Sequence, residues 1–307
     1  MCRITAILKT YNRPHMLPTM LDCLVNQDYD NFEVIIHNNG STDNETDKIC
    51  RSYADKYPNF IYVMTSVNSH AWREGVRVHG SSLSDYTTYL DDDDRITPNY
   101  LSFLANLASK HNADIAICGS YNEYEDGSLQ PKYVGDEEMV LTKIEALKFF
   151  LERKHFNTAP PTKLYKKDIV LAGDRGSNII RTITKQVPIG VFLTYRHLTL
   201  ANKIVVHNVP LYYFKKHSGN YSAFTHNPNE WTPERAVGFL HAYNARKYWL
   251  LERHPELKDD IENATKSFMV NMLNRIEENN WQGYQKVTNY MKAWLDLNFA
   301  GGTNNEL

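Results

Sequence analysis

The sequence has no long apolar run. No stretch approaches the roughly 20 consecutive apolar residues that a membrane-spanning helix needs. The opening apolar run, residues 3–8, is short, begins with Arg3 and is followed by Lys9, so it does not read as a signal peptide. Cysteine is sparse: Cys2, Cys23, Cys50 and Cys118 are the four present, none in a C-x-x-C pair. That argues against a disulfide framework or a zinc knuckle and for small apolar side chains in a reducing compartment. Net charge is also lacking. A formal charge of −2 gives no reason to expect a nucleic acid or an anionic membrane as principal partner. Repeats and low-complexity segments are absent. The chain therefore reads as a cytoplasmic globular protein, with peripheral membrane association and oligomerisation left open.

Within its 307 residues, 42% are hydrophobic and 23% charged, enough for a large α/β domain and a smaller appendage. Short apolar runs predict strands at 3–8, 33–37, 60–64, 86–90 and 114–118. Between them, helical spacing predicts helices at 15–26, from a Thr42-x-x-Glu45 capping box, at about 70–80, and after a Thr97-Pro98 cap to about 110. Strands alternating with helices imply a mostly parallel sheet with helices on both faces. Beyond residue 120 the pattern changes. A hairpin is expected around Asp126-Gly127, a helix from the Thr142-x-x-Glu145 box, and a strand within 203–214. From about residue 233 the chain reads as helical. The expected division is a domain over 1–222 and a helical extension over 223–300.

In parallel sheets, ligands gather outside the carboxyl ends of the strands. Three polar clusters fall just there: 10–13, 38–43 and 91–95. The last is Asp91-Asp92-Asp93-Asp94, four carboxylates delivered by an apolar strand. Such a run needs positive charge among it. Hard divalent cations such as Mg²⁺ and Mn²⁺ take carboxylate oxygens and keep positions open for phosphates. A solvated acidic turn ahead of a helix is the bland alternative, and Asp94 fits it as a helix-start residue.

Taken together, these segments resemble the family 2 glycosyltransferases of the GT-A fold. Thr10-Tyr11-Asn12-Arg13 looks like the family's T-Y-N-R, which lines the nucleotide pocket. Residues 32–43 look like its y-E-I-I-V-V-D-D-G-S-T-D segment, with Asn39 where the base-recognising Asp sits. Val76-Arg77-Val78-His79-Gly80 is similar to A-R-N-x-G, and Tyr89-Leu90-Asp91-Asp92-Asp93-Asp94 to f-L-D-x-D-D, the DXD signature. His217-Ser218-Gly219-Asn220-Tyr221-Ser222, after Leu211-Tyr212-Tyr213, is similar to the late l-Y-y-y-R-x-H-x-x-x-S segment.

The resemblance implies a transferase that binds a nucleotide-diphosphate sugar with Mn²⁺ or Mg²⁺. Its acceptor would be a saccharide, a lipid-linked sugar or a protein. It places Thr10, Tyr11, Arg13, Asn39, Arg77, Asp91 and Asp92 on the donor, and Asp93, Asp91 and His217 on the metal. The sequence departs from the pattern at Lys9, where the family has Pro, at the amide pair Asn38-Asn39, and at Val76 and Val78. The largest departure is the family's acidic pair, which supplies the general base. It should fall near Gly190-Val191, where no carboxylate stands. Asp174 is the nearest upstream acid and the candidate base, with His197 a second. A retaining mechanism, which needs no such base, stays open. So does a GT-A domain that binds nucleotide without transferring sugar.

Overall fold

The computed structural model describes residues 1–66, 68, 84–174, 189–217, 220 and 232–299. Two compact units emerge from it. One comprises residues 1–179 and 193–217, the other residues 180–192 and 218–307.

The first unit is built on one sheet. Its strands are β1 (Ile4–Thr10), β2 (Phe32–Asn38), β3 (Phe60–Met64), β4 (Tyr86–Asp91), β5 (Arg95–Ile96), β6 (Ile115–Tyr124), β7 (Leu129–Lys132), β8 (Glu138–Thr142), β9 (Lys163–Lys166) and β10 (Lys203–Lys216). Their order is β3-β2-β1-β4-β9-β6-β10-β5, with β7 beside β6 and β8 beside β10. β1 is parallel to both β2 and β4, and β6 to β10. β9 runs antiparallel between β4 and β6. The residues of β1 are almost all buried because sheet neighbours lie on both sides and helices cover the faces.

Helix α1 (Leu17–Val25) buries Leu17, Met20, Leu21 and Leu24 in the main core. Each such side chain contributes about 1.5–3 kcal/mol relative to exposure. Pro18 falls in its first turn, where no backbone N–H partner is lost. Helix α2 (Asn44–Lys56) does not start on the expected box. Asp43 caps it, its carboxylate accepting from Thr46 N at 2.6 Å. Thr42 is diverted: its amide N–H donates to Asn12 Oδ1 at 2.8 Å, and its hydroxyl accepts from Asn12 Nδ2 at 3.1 Å. Helix α3 (Tyr100–His111) likewise starts later than Thr97-Pro98. Asn99 is its N-cap residue, and the Thr97 hydroxyl donates to Asn99 Oδ1 instead. The helix expected at 70–80 lies outside the described residues.

The hairpin, the boxed helix and the strand expected beyond residue 120 are all present. The hairpin β6–β7 turns at Gly127, whose φ of +82° suits only glycine without strain. The Thr142–Glu145 box is complete and opens α4 (Lys143–Glu152). β10 carries Pro210 at a break in its register with β6, the place where a strand tolerates a missing N–H. Helices α5 (Lys167–Asp174) and α6 (Ile189–Leu200) fall where the sequence predicted no element.

The second unit contains α7 (Pro233–Arg253), α8 (Lys258–Glu278) and α9 (Gln285–Phe299). Thr232 caps α7 ahead of Pro233. The core of this unit joins Phe239, Tyr243, Met269, Leu273, Met291 and Trp294. Tyr243 stacks on Phe268 with ring centroids 3.7 Å apart. Among the described residues, no helix is long and apolar enough to cross a membrane. The four cysteines form no disulfide with one another, and burial pushes the Cys50 and Cys118 thiols up to about 12.

Candidate functional site

Parallel pairing sets the site in register. Thr10 lies opposite Asn38, and Lys9 opposite Asp91, so three strands end together. The pairing continues one step past β1, where Asn39 N donates to the buried Thr10's carbonyl at 2.9 Å. Asn12 then adopts a left-handed conformation (φ +50°), which Asn tolerates better than most residues. This turns its backbone N–H to Ser41 Oγ at 3.0 Å and its side chain to Thr42. Asn12 therefore staples the 10–13 loop to the 38–43 loop.

The two amides that replace the expected Asp pair have separate tasks. Asn38 is structural: its Oδ1 accepts from Ser41 N at 3.0 Å and its Nδ2 donates to Tyr62 OH at 3.2 Å. Asn39 donates from Nδ2 to Asn68 Oδ1 at 2.6 Å. Tyr11 stands exposed at the rim.

The acidic run folds back as a tight turn in which Asp94 N donates to Asp91 O at 3.4 Å. Asp91 is half-buried and the other three are buried. Arg13 reaches in from the first loop, its Nη1 2.8 Å from both Asp92 Oδ1 and Asp93 Oδ2. From the end of β10, His217 Nε2 stands 3.1 Å from the same Asp93 Oδ2. Arg13, Asp92, Asp93 and His217 are thus brought together.

Asp94 is not a helix-start residue. Its Oδ2 accepts from Tyr212 OH at 2.7 Å and its Oδ1 from Lys215 N at 2.9 Å, tying the run to β10. Tyr212 and Lys215 were not foreseen as site residues. The signal available was the Leu211-Tyr212-Tyr213 segment, read only as a family landmark.

The carboxylates differ in character. Burial, reinforced by Asp93 and Asp92, pushes Asp91 up to about 7. Asp92 and Asp94 are also raised, chiefly by burial. Asp93 goes the other way. Burial would raise it, but the hydrogen bond from His217 and the charge of Arg13 prevail and hold it below the usual range. Burial works against the Arg13 charge, and Asp92 and Asp93 more than offset it. Among the described residues, no group of three His, Cys, Asp or Glu side chains forms a ready-made metal cage.

The remaining candidates are less defined. Arg77 lies outside the described residues. Asp174 ends α5, and its side chain lies outside them too. His197 is fully buried, parallel to the Tyr89 ring and edge-on to Tyr165 at 4.8 Å. That places it in the core rather than facing a substrate.

The comparisons with known proteins give the class to which this sheet and its strand-end loops belong. The profile of glycosyl transferase family 2 matches residues 5–171, more than half the chain. The chain belongs to that family. It is 28% identical over 124 residues to the glycosyltransferase GlyA of Streptococcus pneumoniae, a match covering 40% of this chain and 17% of GlyA. It is 26% identical over 231 residues to GlyG of the same organism, covering 71% of this chain and 72% of GlyG. The match to GlyA spans well under two thirds of that relative's length. A solved structure of S. aureus TarS in complex with UDP-GlcNAc superposes with a TM-score of 0.64 at 20% identity. It covers 89% of this chain and 72% of that one, which establishes the shared GT-A fold.

Proposed function

We propose that the chain is a metal-dependent glycosyltransferase that moves a sugar from a nucleotide-diphosphate donor to a saccharide, lipid-linked or protein acceptor. The carrying observation is the convergence of Arg13, Asp92, Asp93 and His217 beside the stapled 10–13 and 38–43 loops. The TarS complex with UDP-GlcNAc supports a UDP-sugar as donor.

In this reading, Thr10, Tyr11 and Asn39 line the nucleoside end. An amide both donates and accepts, so Asn39 retains the capacity to pair with a uracil edge. Asp91 and Asp92 face the ribose and donor phosphates, and Arg77 belongs with them. Asp93, with Asp91 and His217, would hold Mn²⁺ or Mg²⁺. Carboxylate oxygens are the ligands a hard cation takes, and Asp93 is held in its charged form by His217 and Arg13. When bound, such an ion supplies Lewis-acid stabilisation of the departing diphosphate. The chain's own residues hold the donor in place, and positioning accounts for much of the rate. Asp174 stays the candidate base.

The test is UDP release from radiolabelled UDP-GlcNAc, UDP-glucose and UDP-galactose with Mn²⁺. Asp93→Ala should lose about 100-fold or more, as expected when charge stabilisation of a leaving group is removed. Undiminished turnover by that variant would sink the metal assignment. The stretch at 190–191 has no carboxylate, which favours a second reading, a domain that binds nucleotide without transfer. Tight UDP binding with neither hydrolysis nor transfer, for any of the three donors, would favour that reading.

A further inference from the structure

Two of the four carboxylates in the acidic run already face a cation from within the chain. Arg13 Nη1 stands 2.8 Å from an oxygen of Asp92 and 2.8 Å from Asp93 Oδ2. The Asp93 oxygen it contacts is also the one that faces His217, at 3.1 Å. Asp92 and Asp93 are buried, and the Arg13 side chain is only 30% exposed. A Mg²⁺ ion bonds a carboxylate oxygen at about 2.0–2.1 Å. An ion bonded to that same oxygen would share it with the guanidinium, two cations on one atom. Repulsion at such range in a partly buried setting is strong.

We propose that Arg13 is a resident counter-cation that a divalent ion has to displace, so that the chain binds the ion weakly until a diphosphate gives Arg13 a new anion. This rests on the donor-site reading above. Guanidinium suits the exchange because its planar fork binds carboxylate and phosphate oxygens alike. Asp92 and Asp93 hold it in one state and phosphate oxygens in the other. Binding of ion and nucleotide is then coupled, and by reciprocity each raises the affinity for the other.

The experiment is Mn²⁺ binding to the whole chain, read from the loss of the free-ion electron paramagnetic resonance signal, with and without UDP. Wild type, Arg13→Met and Arg13→Lys are compared, and thermal melting confirms that each is folded. Arg13→Met should bind Mn²⁺ alone about tenfold tighter than wild type, the scale of one close charge removed. Arg13→Lys, which keeps the charge and loses the fork, should fall between. Addition of UDP should tighten Mn²⁺ binding about tenfold more in wild type than in Arg13→Met. Equal or weaker Mn²⁺ binding by Arg13→Met overturns the proposal. If Arg13→Met does not fold, the wild-type measurement decides alone: Mn²⁺ affinity unchanged by UDP overturns it. Failure of wild type to bind Mn²⁺ even with UDP present overturns the donor-site reading itself and this proposal with it.

Discussion

Asp94 shows how much a single side chain can hold. Both its oxygens accept hydrogen bonds from β10, one from Tyr212 OH and one from Lys215 N. His217 follows two residues later, so Asp94 sets where that imidazole arrives. Removing the carboxylate leaves a buried phenol and an N–H without their acceptor, at about 1–3 kcal/mol each. Asp94→Ala should therefore lose about 3 kcal/mol in urea denaturation, and donor turnover should fall with it. Lys163 plays a comparable part elsewhere in the sheet. Its ammonium is fully buried and donates to the carbonyls of Asn157 at 2.6 Å, Ala159 at 2.7 Å and Pro161 at 3.2 Å. Thr158 and Pro160 carbonyls are taken by Thr194 and Tyr165, and Thr162 O by Cys118 N. Every carbonyl from 157 to 162 thus points inward. This order sustains Thr162 at φ +73°, a strained value for a β-branched residue. Lys163→Met should cost about 3 kcal/mol by the same reasoning, measured by chemical denaturation.

At the scale of elements, local signals were legible and remote ones were not. The Thr142–Glu145 box lies within four residues, and the structure completes it. Thr142→Ala should lower stability by about 1 kcal/mol in a thermal melt. The Thr42 box looked the same in sequence, but Asn12, some 30 residues away, recruits Thr42 and leaves the cap to Asp43. β9 was missed because four residues, Lys-Leu-Tyr-Lys, have no periodicity of their own. Their burial is imposed by β4 and β6. The central strands and the helical region from about residue 233 were readable because each carries its own apolar pattern. β8 offers a pH test. Glu138 accepts from Lys110 and His111, whose hydrogen bonds hold its carboxylate below 4.5. A depressed carboxylate stabilises above its unfolded value and loses that contribution as pH falls through the folded one. The melting difference between wild type and Glu138→Gln should be full near neutrality and vanish as pH drops well below 4.5.

For the whole molecule, the site was legible in outline because parallel strands put their polar ends at one edge whatever their distance in sequence. What stayed hidden was the pairing within it. Nothing in the sequence said that Arg13 would take two of the four carboxylates, or that Asp94 would turn away from the ligand side toward β10. Binding of Mn²⁺ with UDP should raise the melting temperature, since a ligand at 100 times its Kd adds about 2.7 kcal/mol. Chelation should reverse the part that depends on the ion.

The reversed strand β9 has a consequence of its own. Its neighbours β4 and β6 deliver to the ligand edge the segments that follow them. β9, running the other way, delivers the segment that precedes it, residues 157–162. The rim is therefore written by two kinds of text: trailing loops over β1, β2 and β4, and one leading loop beside them. Residues 157–162 are buried or half-buried, so this stretch is held by the carbonyl network around Lys163, independently of the staple that Asn12 makes to the 38–43 loop.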